Sequence, residues 1–379
     1  MRVLYVEMAF GFGGSLTSLL PLFRNLPPQV EPVLVTGFDA RQYVTLPERV
    51  AYESADIPPL PDAGNGGALT NLARFYRLNA RPWMKYLAGA IRRYKPDIVH
   101  TGNSVFTNAP AARESRRHGV PVVGYQKGFE YGGRPNRYVL RSGWYDHHIA
   151  CSNAVAARLF ELGLPRERCT VLYDGVAPPP EGFDSEPRTD PTPVVAMYSL
   201  LQPWKGQDVF LRAVAKVKEK FDGPFRVVIA GDSPDGSREF PERLKALTNE
   251  LGLADRVEFR GHVRNVYGML AHVDIAVHAS VEPEPFGTVA AEAMSAGVAV
   301  VATDGGGVAE YVLPGETGLR VPMGDADALA AAVERLLREP DLRRTLARQG
   351  RELVRREFSP ALYAEKVVGV YDRVLAAKR

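Results

Sequence analysis

Cysteine is scarce in this sequence, with only Cys151 and Cys169 among 379 residues. The two residues form no CxxC pair and no Cys/His ligand spacing, so free thiols are favoured over a disulfide framework or a zinc site. The first residues, MRVLYVEMAFGFGG, lack the apolar stretch and cleavage site of a secretory signal. We therefore expect a cytoplasmic protein with reduced cysteines.

Charge of one sign and long apolar runs are also missing. The formal net charge is only +3, and basic and acidic side chains are interspersed, which excludes the strongly basic footprint of a nucleic-acid-binding protein. No segment approaches the roughly 18 uninterrupted apolar residues of a membrane span. With 45% apolar residues, the chain is long enough for about two globular domains with hydrophobic cores.

A proline-rich segment, 177–193, divides the chain into two halves. It contains six prolines, which neither continue a helix nor pair in a central strand. On both sides of it, short β-branched runs such as RVLYV and VAVVAT alternate with stretches of helical length, a pattern typical of parallel strands buried on both faces. We predict two doubly wound α/β domains, 1–180 and 181–358, with ligands bound beyond the carboxyl ends of the strands.

The stretch VEPEPFGTVAAEAMSAG places Glu284 and Glu292 eight positions apart around the start of a helix expected near Thr288. A helix N-terminus attracts phosphate, and Gly287 permits a close approach of the backbone. Because a carboxylate can accept hydrogen bonds from two hydroxyls, the pair suggests a nucleotide sugar, with phosphate between two sugars. The alternative is an ordinary loop acid at 284 and a helix-stabilising carboxylate at 292.

Two other loops that follow strands favour the phosphate interpretation. Lys205, in QPWKGQ, offers an ammonium group that can reach phosphate as a point charge. ATDGGGVAEYV, residues 302–312, has three successive glycines, where a backbone can approach a ligand closely. All of these loops are expected at one edge of one sheet, and together they are more specific than any one alone.

Taken together, these motifs resemble those of a known enzyme family. EPFGTVAAEAMSAGVAVVATDGGGVAEYV and the preceding WKGQDVFLRA closely resemble the signature of the family 4 retaining glycosyltransferases (glycosyl transferases group 1), and FGFGGS, KPDIVH and CSNAVAARLFELG resemble its N-terminal motifs. The resemblance implies the GT-B architecture, two Rossmann-like domains facing across a cleft. It further implies an N-terminal acceptor domain, a C-terminal donor domain, and a last helix at about 359–379 that packs back on the N-terminal domain.

The activity implied by the resemblance is a metal-independent, retaining hexosyl transfer without a cofactor. A UDP- or GDP-sugar would donate to a hydroxyl of a sugar or lipid-linked acceptor, as in the biosynthesis of cell-surface polysaccharides or glycoconjugates. Glu284 would contact hydroxyls of the donor sugar, Glu292 the ribose, and Lys205 the diphosphate. The remaining donor-binding positions would be Gly13, Gly14, Arg260, Gly261, His262, Pro285, Phe286, Gly287 and Thr288.

Three of the implied positions depart from the family pattern or have an alternative. The family places an arginine shortly before the lysine, where this chain has Ser199 or Leu200; Arg260 is a candidate substitute, because the departing diphosphate needs a cation. Lys127 stands where the family often has a histidine near the anomeric carbon, and the alternative is an exposed lysine. His100 matches a family histidine, and the alternative is a packed or hydrogen-bonded imidazole. The catalytic candidates are therefore Glu284, Lys205, Lys127 and His100.

Several other motifs predict structure instead of chemistry. GFGGSL has Leu16 where the dinucleotide fingerprint needs glycine, which argues against a dehydrogenase. The acids of DAD, 325–327, open a helical stretch, so Asp325 is expected to cap a helix instead of binding a metal. His147 and His148 are adjacent on a strand and would point to opposite faces. No metal site is predicted.

The segment 74–95 bears on the acceptor. It holds seven basic residues, no acid and five aromatic residues, a composition that suits an anionic membrane surface. A peripheral position at the inner face of the membrane, with a lipid-linked acceptor, is one interpretation; a solvated pair of helices is the other. For the whole chain, a sugar-nucleotide epimerase of the same architecture and a non-catalytic sugar-nucleotide-binding partner subunit remain alternatives.

Overall fold

The computed structural model describes all residues except 9–15, 17, 56, 58–73, 75, 130–133, 184–189, 234–235 and 379. The chain divides into two compact units, Met1–Gly175 with Pro360–Arg379, and Val176–Ser359. It passes between the units twice. The first passage, after Gly175, comes just before the proline-rich segment 177–193, and the second comes after Ser359.

The first unit is built on a seven-stranded parallel sheet in the order β3-β2-β1-β4-β5-β6-β7. Its strands are β1 (Arg2–Glu7), β2 (Glu31–Thr36), β3 (Ala51–Ser54), β4 (Ile98–Thr101), β5 (Val122–Gln126), β6 (His147–Ala150) and β7 (Cys169–Val171). The central strands are buried almost throughout, because helices cover both faces of a parallel sheet.

In the described part of this unit, five α-helices lie between the strands: α1 (Leu19–Asn25), α2 (Arg81–Tyr94), α3 (Val105–Arg117), α4 (Arg134–Arg141) and α5 (Asn153–Glu161). Two of them begin at serine caps, which satisfy backbone N–H groups that have no partner within the helix. Ser104 Oγ accepts from Thr107 N at 3.4 Å, and Ser152 Oγ accepts from Val155 N at 3.1 Å. Each cap lies two or three residues after a buried strand, Ser152 after β6 and Ser104 after β4.

The second unit holds a six-stranded parallel sheet in the order β10-β9-β8-β11-β12-β13. Its strands are β8 (Val194–Tyr198), β9 (Arg226–Ala230), β10 (Val257–Gly261), β11 (Ile275–His278), β12 (Ala299–Thr303) and β13 (Leu319–Val321). Its helices are α6 (Gln207–Lys220), α7 (Glu239–Glu250), α8 (Val266–Leu270), α9 (Thr288–Ser295), α10 (Ala326–Arg338) and α11 (Pro340–Glu357). The core includes Val195, Ile229, Ile275 and Val301.

The last helix, α12 (Pro360–Ala376), returns to the first unit. Its inner face buries Tyr363, Val367 and Tyr371, and the Tyr371 hydroxyl meets His100 Nδ1 at 2.7 Å. Both units are thus doubly wound parallel α/β folds, which confirms the predicted fold class. Within the described part of the chain, no helix has the length and apolar character needed to cross a bilayer.

Local details of the sequence analysis are also confirmed. Asp325 caps α10 by accepting from the backbone N–H groups of Asp327 and Ala328, at 3.0 and 2.9 Å. The cysteines are free thiols. His147 bonds Thr170 Oγ1 at 2.8 Å while His148 is fully buried, as expected for neighbours on opposite faces of a strand.

Candidate active site

The order of the second sheet reverses between β8 and β11, because the chain first builds outward through β9 and β10 and then returns to the other side of β8. Ligands of doubly wound sheets bind at such a switch point, beyond the carboxyl ends of the strands. The loop after β8 carries Lys205 and the loop after β11 carries Glu284. The structure therefore places both predicted residues at the position where a ligand is expected.

Close contact of the two loops brings these side chains together. Lys205 ends a short 3-10 turn, Pro203–Lys205, and Gly206 follows with φ of 77°. A Cβ atom at Gly206 would lie 2.1 Å from the carbonyl oxygen of Ala279, so only glycine allows this approach. The Lys205 Nζ atom also lies 4.0 Å from the centre of the Trp204 ring, which stabilises the cation further.

Glu284 is the centre of a buried polar cluster. Lys205 Nζ lies 2.8 Å from each of its carboxylate oxygens. Ser280 Oγ donates to Oε2 at 3.0 Å, and His278 Nε2 lies 3.3 Å from the same oxygen. The side chains of Lys205 and Glu284 are only 11% and 12% exposed, so the pair is screened little by solvent.

The two glutamates have opposite pKa shifts. Burial by itself would raise the pKa of Glu284, but the hydrogen bond from His278 and the charge of Lys205 lower it to about 2. Glu292 lies one turn inside α9, where burial alone raises its pKa to about 7. One carboxylate is therefore fully ionised at neutral pH, while the other is poised to gain or lose a proton.

The glycine-rich loop 305–307 holds the backbone of Glu284. Gly307 N donates to the Glu284 carbonyl oxygen at 2.7 Å. A Cβ atom at Gly306 would lie 2.0 Å from that same oxygen, and Gly306 has φ of 73°. The predicted close approach of this loop is therefore made to the protein's own backbone at Glu284, where we had expected a ligand.

The N-terminus of α9 is fixed by two tyrosines. Gly287 precedes the helix with φ of 82°, and the Tyr311 hydroxyl lies 3.0 Å from the Phe286 carbonyl oxygen and 2.6 Å from that of Gly287. The Tyr198 hydroxyl donates to the carbonyl oxygen of Val289. The helix begins at the exposed Thr288, as predicted, and its first N–H groups are the expected phosphate donors.

Other predicted donor-binding residues lie apart from this cluster or outside the described residues. Gly13 and Gly14 are among the residues that the structure does not describe. Arg260 lies on β10, two strands from β8, and its guanidinium group pairs with Glu258 at 2.8 and 3.0 Å. Gly261 and His262 follow it and are exposed. Pro285 lies in the loop between Glu284 and α9.

In the first unit, Lys127 has an acidic partner that the sequence analysis missed. Its Nζ atom lies 2.7 Å from Asp174 Oδ1, and the two side chains are about one-tenth exposed. It also lies 4.1 Å from the centre of the Tyr125 ring. The alternative of an exposed lysine is therefore wrong, and a catalytic role of Lys127 stays a prediction.

His100 lies inside the core of the first unit. It is 1% exposed and packs against Tyr5, Tyr125 and Tyr371. Burial, with a smaller effect from the charge of Lys127, lowers its pKa to about 3, so the imidazole is neutral at physiological pH. The structure thus shows the packed, hydrogen-bonded alternative, and a catalytic role would require the ring to become accessible.

Three aromatic side chains of the basic segment 74–95 make contacts within the first unit. Trp83 is 1% exposed, and the hydroxyls of Tyr86 and Tyr94 donate to Glu53 at 2.8 and 2.6 Å. The basic side chains remain on the outside, together with Tyr76. Trp83 therefore belongs to the first unit's own core, while Tyr76 and Leu78 remain exposed beside the basic side chains.

Two residues of the cluster, His278 and Ser280, were missed, although a signal for them exists. They are two positions apart at the end of DIAVHAS, and residues at i and i+2 of a strand share a face.

Within the described residues, no group of three histidine, cysteine or acidic side chains is arranged to hold a metal.

The chain has two doubly wound units, and the second has a helix N-terminus suited to phosphate at its switch point. These are features of the GT-B class of fold. The crystal structure of Anabaena HepE in complex with UDP is similar, with a TM-score of 0.80 and 22% identity over 98% of this chain and 100% of that one. This likeness shows the fold.

The family is shown by two models. One, described as glycosyl transferases group 1, matches residues 180–353, and the other, described as glycosyltransferase family 4, matches residues 13–178. The chain belongs to the family 4 glycosyltransferases, as the resemblance indicated.

The chain aligns with only part of the length of its curated relatives. A lipopolysaccharide core biosynthesis glycosyltransferase of Rhizobium meliloti is 33% identical over 59% of this chain and 63% of its own. A D-inositol 3-phosphate glycosyltransferase of Acidothermus cellulolyticus is 34% identical over 66% of this chain and 51% of its own. The match thus spans about half to two thirds of these two proteins.

Proposed function

We propose that this protein is a retaining glycosyltransferase that moves a hexose-type sugar from a nucleoside-diphosphate sugar to an acceptor hydroxyl. The observation that carries the proposal is the buried Lys205–Glu284 pair at the switch point of the second sheet, directly before the N-terminus of α9. It sets a cation, a carboxylate and a helix N-terminus side by side, which suits a diphosphate attached to a polyhydroxylated group.

Each part has a separate task in this proposal. Lysine has three N–H donors, and two of those of Lys205 are directed at Glu284, which leaves the third for the diphosphate. The N–H groups that begin α9 bind the same diphosphate. Glu284 accepts from the transferred sugar, and Glu292, one turn further along, accepts from the ribose hydroxyls.

The chemistry then depends on charge stabilisation more than on a protein base. The bond from the anomeric carbon to the diphosphate breaks through an oxocarbenium-like state, and negative charge develops on the leaving diphosphate. Lys205 and the N-terminus of α9 stabilise that charge. The acceptor hydroxyl attacks from the side on which the diphosphate leaves, and a phosphate oxygen takes its proton. No metal is part of this proposal.

The names of similar proteins support the donor and the pathway. HepE was crystallised with UDP and with UDP-glucose, which favours a nucleotide-sugar donor here. Relatives that act in lipopolysaccharide core biosynthesis favour a role in cell-surface polysaccharide or glycoconjugate assembly, with a sugar or a lipid-linked sugar as acceptor.

The proposal is tested first by binding. UDP, GDP, ADP and CMP are titrated in a thermal unfolding assay, because a ligand of the native state alone raises the melting temperature. We expect one nucleoside diphosphate to raise it in the wild type and in Glu242→Ala, which removes an exposed acid of the same unit, and to lose its effect in Glu292→Ala. No shift with any diphosphate would contradict the proposal and favour a partner subunit.

The reaction itself is tested with the matching nucleotide sugar and an acceptor extract. Transfer of the sugar to an acceptor with retained anomeric configuration is the expected result. Formation of an epimer from the nucleotide sugar alone would instead identify an epimerase.

We further propose a peripheral contact with anionic membranes through the exposed basic residues of 74–95. Because Trp83, Tyr86 and Tyr94 are engaged within the first unit, this contact would be electrostatic. Flotation with anionic vesicles is then expected at low salt and not at high salt. Equal flotation with neutral vesicles, or none with anionic ones, would contradict it.

A further inference from the structure

The two oxygens of the Glu284 carboxylate have different surroundings. Oε2 is contacted by three groups of the protein: Lys205 Nζ at 2.8 Å, Ser280 Oγ at 3.0 Å and His278 Nε2 at 3.3 Å. Among the described residues, Oε1 is contacted only by Lys205 Nζ, also at 2.8 Å. Since each carboxylate oxygen offers about two lone pairs, Oε2 is saturated while Oε1 keeps capacity for a ligand.

The geometry also fixes the proton of His278. An ionised carboxylate only accepts hydrogen bonds, so a favourable contact requires the hydrogen on Nε2. The ring is 4% exposed, and its Nδ1 atom is buried without a hydrogen-bond partner in the described part of the chain. Among the described residues, this buried imidazole therefore contacts two hydrogen-bonding groups, the carboxylate of Glu284 and the hydroxyl of Ser280.

Ser280 is itself held in place. Its carbonyl oxygen accepts from Thr303 Oγ1 at 2.8 Å, which ties the end of β11 to the end of β12. His278 and Ser280 project from the same face of the chain and approach Oε2 from the sheet. Lys205 approaches from a different loop, so the carboxylate is anchored even if the lysine moves toward a phosphate.

We propose that His278 is a positioning residue, which with Ser280 fixes Oε2 of Glu284 so that Oε1 is presented to a hydroxyl of the transferred sugar. The proposal rests on the proposed function and deepens it. It makes His278 act on the sugar through Glu284 and gives it no contact with the nucleotide. The sugar part of the donor should then contribute to affinity only while this anchor is intact.

The test compares a nucleoside diphosphate with its sugar derivative, by titration calorimetry with UDP and UDP-glucose and with GDP and GDP-mannose. In the wild type we expect one sugar derivative to bind more tightly than its diphosphate. In His278→Ala we expect that advantage to fall about tenfold, the loss of one hydrogen bond to a charged group, with unchanged affinity for the diphosphate. His278→Gln, whose amide can donate near the position of Nε2, should restore most of the advantage.

A matched control separates positioning from general loss of packing. His148→Ala removes an imidazole that is equally buried, but in the first unit, and should leave both affinities unchanged. Equal weakening of diphosphate and sugar derivative in His278→Ala, or a preserved advantage of the sugar derivative, would overturn the inference alone. Failure of the wild type to bind any nucleoside diphosphate or its sugar derivative would overturn the proposed function and the inference with it.

Discussion

Replacement of Lys205 by methionine should destabilise the second unit through Glu284. Methionine keeps much of the apolar stem of lysine and removes the charge, so Glu284 would remain buried with only Ser280 and His278 as donors. The loss of one partner from a buried ion pair is costly because the other charge stays behind without compensation.

The magnitude follows from the pKa of Glu284, which lies near 2 instead of 4.5. A pKa difference of one corresponds to about 1.4 kcal/mol, so the lowered pKa is equivalent to about 3 to 4 kcal/mol of stability at neutral pH. Because the folded-state pKa is the lower one, this stability is present above pH 4.5 and is lost as the pH falls toward 2. Since His278 and Ser280 remain, we expect Lys205→Met to cost about 2 to 3 kcal/mol at pH 7.

Hydrogen exchange is the appropriate assay, because the two-state approximation is made for single domains and this chain has two units. Exchange of the amides in β11 and β12 gives the free energy of opening of the second unit. Lys245→Met is the matched control, since Lys245 and its partner Glu242 are more than half exposed and such pairs contribute about 0 to 1 kcal/mol. The double variant Lys205→Met/Glu284→Gln removes both buried charges and should recover at least half of the loss.

Two results would refute this reasoning. One is a Lys205→Met variant that loses no more stability than Lys245→Met. The other is a double variant as unstable as the single one, which would mean that the cost comes from packing and not from the stranded carboxylate.

Three further variants test other parts of the site. Burial raises the pKa of Glu292 to about 7, so the wild type should lose stability as the pH rises from 4.5 through 7. A series of melting curves at different pH values should show that Glu292→Gln removes this loss. At pH 8 the variant should be the more stable protein. Gly306→Ala, with its Cβ 2.0 Å from the Glu284 carbonyl oxygen, should lose at least about 2 kcal/mol more than Gly315→Ala, which has a similar φ of 77° in open space. Hydrogen exchange of the amides in β11 and β12 would show the difference. Tyr311→Phe removes the hydroxyl that holds the carbonyl oxygens before α9. The variant should lose about 1 to 2 kcal/mol of stability and bind a diphosphate more weakly in calorimetry. Unchanged binding would mean that the start of α9 is fixed without this hydroxyl.

Local features of the fold were predictable because their signals are local. The start of α9 at Thr288 follows from a glycine before an alanine-rich run, and the cap at Asp325 from an acid before an apolar periodic stretch. The loops of Lys205 and Glu284 were placed correctly because each follows a short β-branched run. In each case one element and its neighbour carry the whole signal.

Contacts between distant segments were not predictable in the same way. Lys205 and Glu284 are 79 positions apart, so the sequence predicts a separate contact with the donor for each residue and no pairing between them. His100 and Tyr371 are 271 positions apart, so the sequence left open whether the histidine at the end of β4 is catalytic or packed. The membrane interpretation of 74–95 rests on its basic and aromatic composition, and composition does not show that Trp83 packs inside the first unit.

The return of α12 to the first unit has a consequence for the order of synthesis. Residues 1–175 contain every strand of the first sheet, yet Tyr363, Val367 and Tyr371 fill part of that unit's interior. On the ribosome, the first unit must therefore wait with an unfilled apolar surface while all of residues 176–359 are made. The second unit, whose sequence is continuous, can complete its fold first, although it is translated later.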